Sequence, residues 1–244
     1  MMAAGLAMKI TMIGHSTVLI EISGERILTD PYFGLQGNPA YARPHPPAQS
    51  REQLSNVDLV LVSHNHFDHT DRRFFRALPQ AVPVLAPAIT AWMTRLKGGR
   101  NVIGLHAWQQ KSFDGVSITA LPARHVTFTI GYGIEGEGKR IYFAGDTYLA
   151  DFMTKVGREL RPDVALIPVT TFRIPMTMGE TQAVEAVRRL SPKVVIPIHL
   201  GIIPRSPLMR TTDTAEGFCE RIRQAGLSSK IVILREGESW TPAA

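Results

Sequence analysis

Thiols are nearly missing from this sequence: its 244 residues include one cysteine, Cys219. A lone cysteine excludes an intrachain disulfide. With no basic segment leading a long apolar run, the chain is expected in a reducing cytoplasm. The start, Met1–Met8, is apolar but short, and Lys9 follows at once. No stretch approaches the roughly 20 apolar residues of a membrane-spanning helix, which leaves only membrane-surface contact open. Linkers and repeats of solenoid length are absent too, so a single domain over residues 1–244 is expected. Carboxylates are outnumbered: 27 Lys+Arg against 21 Asp+Glu give a net charge of +6. That excess suits an anionic small-molecule substrate, nucleic acid or a membrane surface, and equally a basic protein with none of these partners.

One stretch is dense in chemistry. Ser63-His64-Asn65-His66-Phe67-Asp68-His69 places four metal-ligand side chains within six residues, in the pattern H-x-H-x-D-H. With 8 His in 244 residues, chance placement yields this pattern about 3 times in 10,000, so the motif is specific. The run before it, 57–62, is short, β-branched and nearly all apolar, as in a strand buried on both faces. The histidines therefore begin where a buried strand ends, which is where open α/β sheets bind ligands. In extended backbone His64 and His66 point to one side and can clamp one ion. Asp68 and His69 come one step later and can face a second.

Around the motif, strands alternate with helices. Residues 9–13, 17–22 and 26–29 read as an antiparallel meander that Pro31 ends. Further strands are expected over 82–86, 102–105, 116–121, 128–134, 140–144, 163–169, 194–198 and 231–234. Ser50–Leu54 reads as one helical turn. Longer helices are expected from an N-cap at Asp71 to Leu78, from Pro87 at the first helical position to Leu96, over 149–160 and 180–190, and from a cap at Asp213 to Gly226. Two irregular loops, 32–49 and 201–212, are long enough to wall a pocket. The alternation predicts an α/β fold of two β-layers with helices outside each. Cys219 falls on an apolar helical stripe with Phe218 and Ile222, so it reads as core filler.

Three more candidate ligands stand just past strongly apolar strands: His125, Asp146 and His199. Singly, each reads as a satisfied buried histidine or a turn-capping aspartate. A sheet, however, brings strand ends to one edge, and with the central motif they make seven. Seven exceeds the four ligands of one structural zinc site, whereas two ions sharing a bridging carboxylate use them all. Imidazole and carboxylate without thiolate suit zinc, manganese or iron(II).

Thr29-Asp30-Pro31, the 63–69 motif, Ala123-Arg124-His125, Ala144-Gly145-Asp146-Thr147 and Ile198-His199-Leu200-Gly201 together resemble the five motifs of the metallo-β-lactamase superfamily, in order. Gly14-His15-Ser16-Thr17, Thr177-Met178-Gly179-Glu180 and Pro197-Ile198-His199 resemble its lactonase-like branch, which includes ascorbate-6-phosphate lactonase. The central motif, with Arg43-Pro44-His45-Pro46-Pro47 ahead of it, is similar over fewer residues to the N-acylphosphatidylethanolamine phospholipase D group, whose lipid substrate is not carried over. The resemblance implies a four-layer αββα sandwich. It implies that His64, His66 and His125 hold a first divalent ion and that Asp68, His69 and His199 hold a second. Asp146 would bridge the two, and Asp30 would orient a ligand histidine from behind. Zinc is the expected metal, with manganese and iron(II) as alternatives.

The chemistry so implied is hydrolysis of a small ester, lactone or phosphodiester by a hydroxide that two metal ions activate, with Asp68 also holding the nucleophile's proton. His15, Arg173, Arg205 and Arg210 lie on turns or loops as candidate substrate contacts, the arginines suiting a phosphate or carboxylate. Two other readings stay open: an iron-dependent redox enzyme of the same fold, and a nuclease-like phosphodiesterase. The complete ligand set favours hydrolysis. A nuclease's extra clamp domain has no room here, so no nucleic-acid partner is expected. Substrate identity is left open, as is homo-oligomerisation.

Overall fold

Short apolar strands and amphipathic helices alternate along the chain because each strand must bury its faces and each helix one stripe. The computed structural model describes residues 8–34 and 38–242. Met1–Ala7, on which the expectation of no leader mostly rests, and residues 35–37 of the first long loop lie outside the described residues. The first half supplies β1 (Lys9–Gly14), β2 (Thr17–Ile22), β3 (Glu25–Thr29), β4 (Tyr41–Ala42), β5 (Leu59–Leu61), β6 (Pro83–Pro87) and β7 (Asn101–Leu105). Its helices are α1 (Arg72–Ala77) and α2 (Ala91–Leu96). The second half supplies β8 (Gln110–Phe113), β9 (Val116–Pro122), β10 (Ile130–Gly136), β11 (Lys139–Phe143), β12 (Val164–Pro168), β13 (Val194–Ile198), β14 (Ile203–Pro204), β15 (Lys230–Ile231) and β16 (Ser239–Trp240). Its helices are α3 (Phe152–Leu160), α4 (Glu180–Leu190) and α5 (Ala215–Gln224).

Fourteen strands form two seven-stranded sheets, ordered β16-β1-β2-β3-β5-β6-β7 and β15-β13-β12-β11-β10-β9-β8. Each opens as an antiparallel meander and continues as parallel strands, joined by helices except from β3 to β5, where the first long loop makes the connection. The sheets share one core, in which Ile20, Ile27 and Leu61 of the first meet Ile118, Tyr132, Phe143 and Leu166 of the second. Helices cover the outer faces: Phe74 and Phe75 of α1 seal the first sheet, and Met153, Val187 and Phe218 of α3, α4 and α5 seal the second. Metallo-β-lactamase architecture, αββα, is what this layering amounts to.

Several boundaries differ from the sequence expectation, each for a local reason. The cap of α5 is Thr214, whose hydroxyl accepts the Gly217 N–H at 2.9 Å, and not Asp213. Pro87 ends β6 in extended backbone, and a 3-10 turn at Ala88–Thr90 precedes α2. Helix α3 starts at Phe152 and not at 149. Ser50–Leu54 does form one turn, as expected, closed by the Leu54 N–H donating to the Ser50 carbonyl at 3.3 Å and by the Ser50 N–H donating to Gln53 Oε1 at 2.8 Å. The closing strand is two residues, Lys230–Ile231, and the chain then crosses to the other sheet to pair β16 with β1. Strand β8 goes beyond the expected set: its Gln110, Lys111 and Ser112 are exposed at the sheet edge and carry no apolar pattern. The two long loops pair with each other, Tyr41 with Pro204 and Ala42 with Ile203, in a small sheet of β4 and β14.

What this topology does for the site is to put the ends of β3, β5, β9, β11 and β13 on one edge of the sandwich. There the Ile130 N–H donates to the Ser63 carbonyl at 3.1 Å, and the Tyr132 hydroxyl donates to the Val62 carbonyl at 2.9 Å. These bonds join the motif strand of the first sheet to the second.

Candidate metal centre

All seven candidate ligands meet at that edge. Ring nitrogens of His64, His66 and His125 lie within 4.8 Å of one another, and Asp68, His69 and His199 form a second group with His15 at the same spacing. Asp146 lies between: one carboxylate oxygen is 3.5 Å from His69 Nε2, and the other is 3.3 Å from His199 Nε2 and 4.0 Å from His125 Nε2. His66 and His125 are half-buried, whereas Asp68, His69, Asp146 and His199 are buried. The first group therefore opens to solvent and the second lies behind it.

Hydrogen bonds behind the cluster decide which nitrogens face inward. Asp30, fully buried at the end of β3, accepts the Ser63 N–H at 2.6 Å, the Ser63 hydroxyl at 2.6 Å and His69 Nδ1–H at 2.7 Å. The Ser63 hydroxyl, its proton given to Asp30, accepts from His64 Nδ1 at 2.9 Å. His199 Nδ1 donates to the Thr170 carbonyl at 3.2 Å. Each of the three rings thus carries its proton outward and turns a bare Nε2 inward, the arrangement seen in metal-binding histidines. His64 Nε2, His69 Nε2, Asp68 Oδ1 and Asp146 Oδ1 are buried with no hydrogen-bond partner. Orphaned buried acceptors of both kinds, converging, fit a divalent cation. Asp30 also lies near His64 and His69, but its oxygens are taken up by donors.

Charge points the same way. Burial opposes ionisation of Asp146, yet His199 and His69 outweigh it and hold the carboxyl well below its usual range. Burial depresses His69, yet Asp146, Asp30 and Asp68 outweigh it and push that imidazole well above its usual range. Three carboxylates around one ring call for positive charge, which either a proton or a metal supplies. Burial pulls His64 well below its usual range and takes His125 down to about 4, so those rings are neutral ligands at pH 7.

Backbone conformation at the edge is unusual. Asp30 has φ 34° and His199 φ 66°, left-handed values for residues with side chains. Gly145 has φ 56°, and a Cβ there would lie 2.4 Å from Ser63 Cβ, so only glycine lets the Asp146 loop approach the motif. The Thr177 hydroxyl accepts the Thr147 N–H at 3.2 Å and donates to the Thr147 carbonyl at 3.1 Å, which fixes that loop. Glu180, at the start of α4, accepts from the Thr214 N–H and Arg221 Nε, each at 2.7 Å. The stretch 177–180 therefore braces the site from behind.

The expected substrate contacts are placed less uniformly. Arg173 is exposed on the loop after β12. Arg205 Nε donates to the carbonyls of Asn38 and Tyr41 at 3.1 and 3.2 Å, and Arg210 Nε to that of Pro204 at 2.8 Å, so both guanidinium groups brace the paired loops. His15 is buried against Asp68 and His199. The loop 32–49, expected to wall a pocket, contributes Tyr32 and Tyr41, whereas sequence reasoning missed Lys97, Phe172, Arg72 and Arg73. Lys97 Nζ donates to the Asn65 carbonyl at 2.7 Å and to the Thr70 hydroxyl, tying α2 to the motif. The Tyr41 ring stands 5.5 Å from Phe67 and 5.3 Å from Phe172. Arg72 and Arg73 line a cavity of about 660 Å³ with Phe67 and Tyr32. Their one visible signal is position, directly after the motif.

Likenesses to known proteins give the family. A family model described as a beta-lactamase superfamily domain matches residues 25–200, so the chain belongs to that superfamily. Relatives extend the match over the rest of the chain. A UPF0173 metal-dependent hydrolase of Pelotomaculum thermopropionicum is 35% identical over 95% of this chain and 99% of that protein. One from Methanopyrus kandleri is 31% identical over 96% and 99%. The chain belongs to the UPF0173 metal-dependent hydrolases. Among solved structures, Igni18, a metallo hydrolase from Ignicoccus hospitalis, superposes with a TM-score of 0.79 at 27% identity, over 98% of this chain and all of that one. No helix among the described residues is long and apolar enough to cross a membrane.

Proposed function

We propose that this protein hydrolyses a small, anionic ester, lactone or phosphodiester at a two-ion centre. His64, His66 and His125 would hold one ion, Asp68, His69 and His199 the other, and Asp146 both. The observation that carries this reading is the position of Asp146 between two groups of donors, among which His64 Nε2, His69 Nε2, Asp68 Oδ1 and Asp146 Oδ1 are buried without a hydrogen-bond partner. Divalent ions held by these residues would supply a water of lowered pKa, towards about 7, and would stabilise negative charge on the attacked oxygen. Asp30 and Ser63 keep His69 and His64 in the tautomer that offers Nε2. Asp68 accepts the proton of the attacking water. Zinc fits the nitrogen-rich set, with manganese or iron(II) as alternatives.

Substrate binding falls to the rim. Arg72 and Arg73, beside the motif, support an anionic substrate. On the His125 side an apolar cleft of about 210 Å³ runs between Ile89 and Phe128, floored by Ala88 and Ala123. An apolar cavity of about 150 Å³ suffices for a benzene ring, so this cleft suits a compact apolar limb. The test is a screen of lactones, phosphodiesters and thioesters with the zinc-, manganese- and iron-loaded protein. Turnover with zinc or manganese is expected. Tightly bound iron together with oxygen consumption and no hydrolysis would establish the redox reading instead.

A further inference from the structure

His15 is the histidine of the cluster that the two-ion reading leaves without a role, and any role it takes beside that centre rests on that reading. It sits in the turn between β1 and β2 with φ 61° and is 1% exposed. Its nearest candidate donor atom lies within 4.8 Å of those of Asp68, His69 and His199. By proximity alone it would be a further metal ligand.

Hydrogen positions argue otherwise. The Gly201 N–H donates to His15 Nδ1 at 3.2 Å. Nδ1 therefore presents its lone pair, and the ring's one proton is on Nε2. Nε2 is buried and closes no hydrogen bond, and the carboxylate oxygen it faces is Asp68 Oδ2 at 3.5 Å. It turns an N–H towards a carboxylate, where a ligand would turn a lone pair towards a cation. The approach that sets this tautomer is close: a Cβ at residue 201 would stand 2.8 Å from the His15 backbone nitrogen. The main chain adds a second tie, since the His199 N–H donates to the His15 carbonyl at 3.1 Å. The rings of His15 and His199 pack at 4.3 Å between centroids.

We infer that His15 is a positioning residue: its Nε2–H holds Oδ2 of Asp68, leaving Oδ1, buried and without a partner, to face the second ion. One residue thus sets the orientation of a ligand from the first half of the chain and the backbone of a ligand from the second. Groups standing behind metal ligands in this way typically change metal affinity about 10–100-fold.

The experiment separates the two nitrogens. Glutamine at this position reaches Asp68 with its amide N–H but gives up the Gly201 contact, and asparagine keeps an acceptor for Gly201 but falls short of Asp68. Zinc affinities of both sites are measured by chelator competition, with thermal unfolding alongside. His15→Asn and His15→Ala should weaken one of the two ions about 10–100-fold and leave the other and the fold unchanged, while His15→Gln stays within about threefold of wild type. Equal loss in His15→Gln and His15→Asn, or no loss in His15→Asn, overturns the inference. A wild-type protein that binds a single ion overturns instead the two-ion reading on which it rests. Nitrogen-15 NMR of the imidazole in wild-type zinc-loaded protein is independent of any variant's folding: a protonated Nε2 on His15 is expected, and a metal-coordinated Nε2 overturns the inference.

Discussion

The two ends of the sandwich are built from the same strands and have little else in common. At the far end, positive φ values belong to hairpin tips such as Ser23 at 55° and Glu137 at 51°. The charges there are paired in the open, as in Lys193–Asp163 at 2.7 Å with the lysine 77% exposed. At the metal edge, positive φ falls on Asp30, His15 and His199, all buried, and the charges converge with oxygens and nitrogens left unpartnered. A left-handed residue costs about 1–2 kcal/mol wherever it stands. A hairpin tip uses that cost to turn the chain, whereas the metal edge uses it to aim side chains. Strain combined with burial, and not strain alone, marks the edge where the candidate ligands meet.

Removing a ligand should break the contrast most severely. His66→Ala is expected to lose bound metal and activity, on the order of 10³-fold in turnover, while folding nearly normally, because His66 is only half-buried. Metal analysis beside kinetics checks this, and a fully active variant would show the site to be misassigned. Next in size is Asp30→Asn, which disturbs His69 directly and His64 through Ser63. Affinity for both ions should fall about 10–100-fold, and a loss confined to one would show that Ser63 does not transmit the effect.

A matched pair of glycine substitutions sharpens the comparison itself. Gly145 and Gly138 both have positive φ, at 56° and 70°, but a Cβ at Gly145 meets Ser63 whereas nothing lies within 4 Å of one at Gly138. Gly145→Ala should cost about 2–5 kcal/mol, conformational strain plus overpacking, and Gly138→Ala about 1–2 kcal/mol. Equal losses in denaturant unfolding would show that packing adds nothing at the metal edge. The smallest effect concerns Lys97, whose ammonium burial brings down to about 8 from 10.5 against the opposing charge of Asp68. Between those pH values the unfolded chain holds more protons than the folded one, so stability rises with pH across that window. Lys97→Met should flatten the rise in melting temperature between pH 8 and 10.

Much of this is legible in the sequence because burial leaves a pattern. The strands at 59–61 and 194–198 are apolar on both faces, and each ends at or near a ligand. Their order and the H-x-H-x-D-H spacing suffice to name seven residues that do converge. What stays hidden is tertiary. Strand β8 is polar because one face and one edge meet water. The pairing of β4 with β14 involves two residues on each side, too few for any periodic signal. Asp213 is the stronger cap by residue type, but its carboxylate packs where a Cβ on Gly179 would stand, and Thr214 caps in its place. His15 reads as a turn residue because a sequence shows the turn and not the Gly201 N–H that arrives 186 positions later.

Strand β16 gives the centre a timetable. The first sheet gains its outermost strand only when Ser239–Trp240 pairs with β1, and the second metal group waits for His199. A chain emerging from the ribosome at about 5–20 residues per second carries four of its seven ligands by residue 69, yet neither group is whole until the second half follows. A centre built from all seven residues is therefore complete only once His199 has been made.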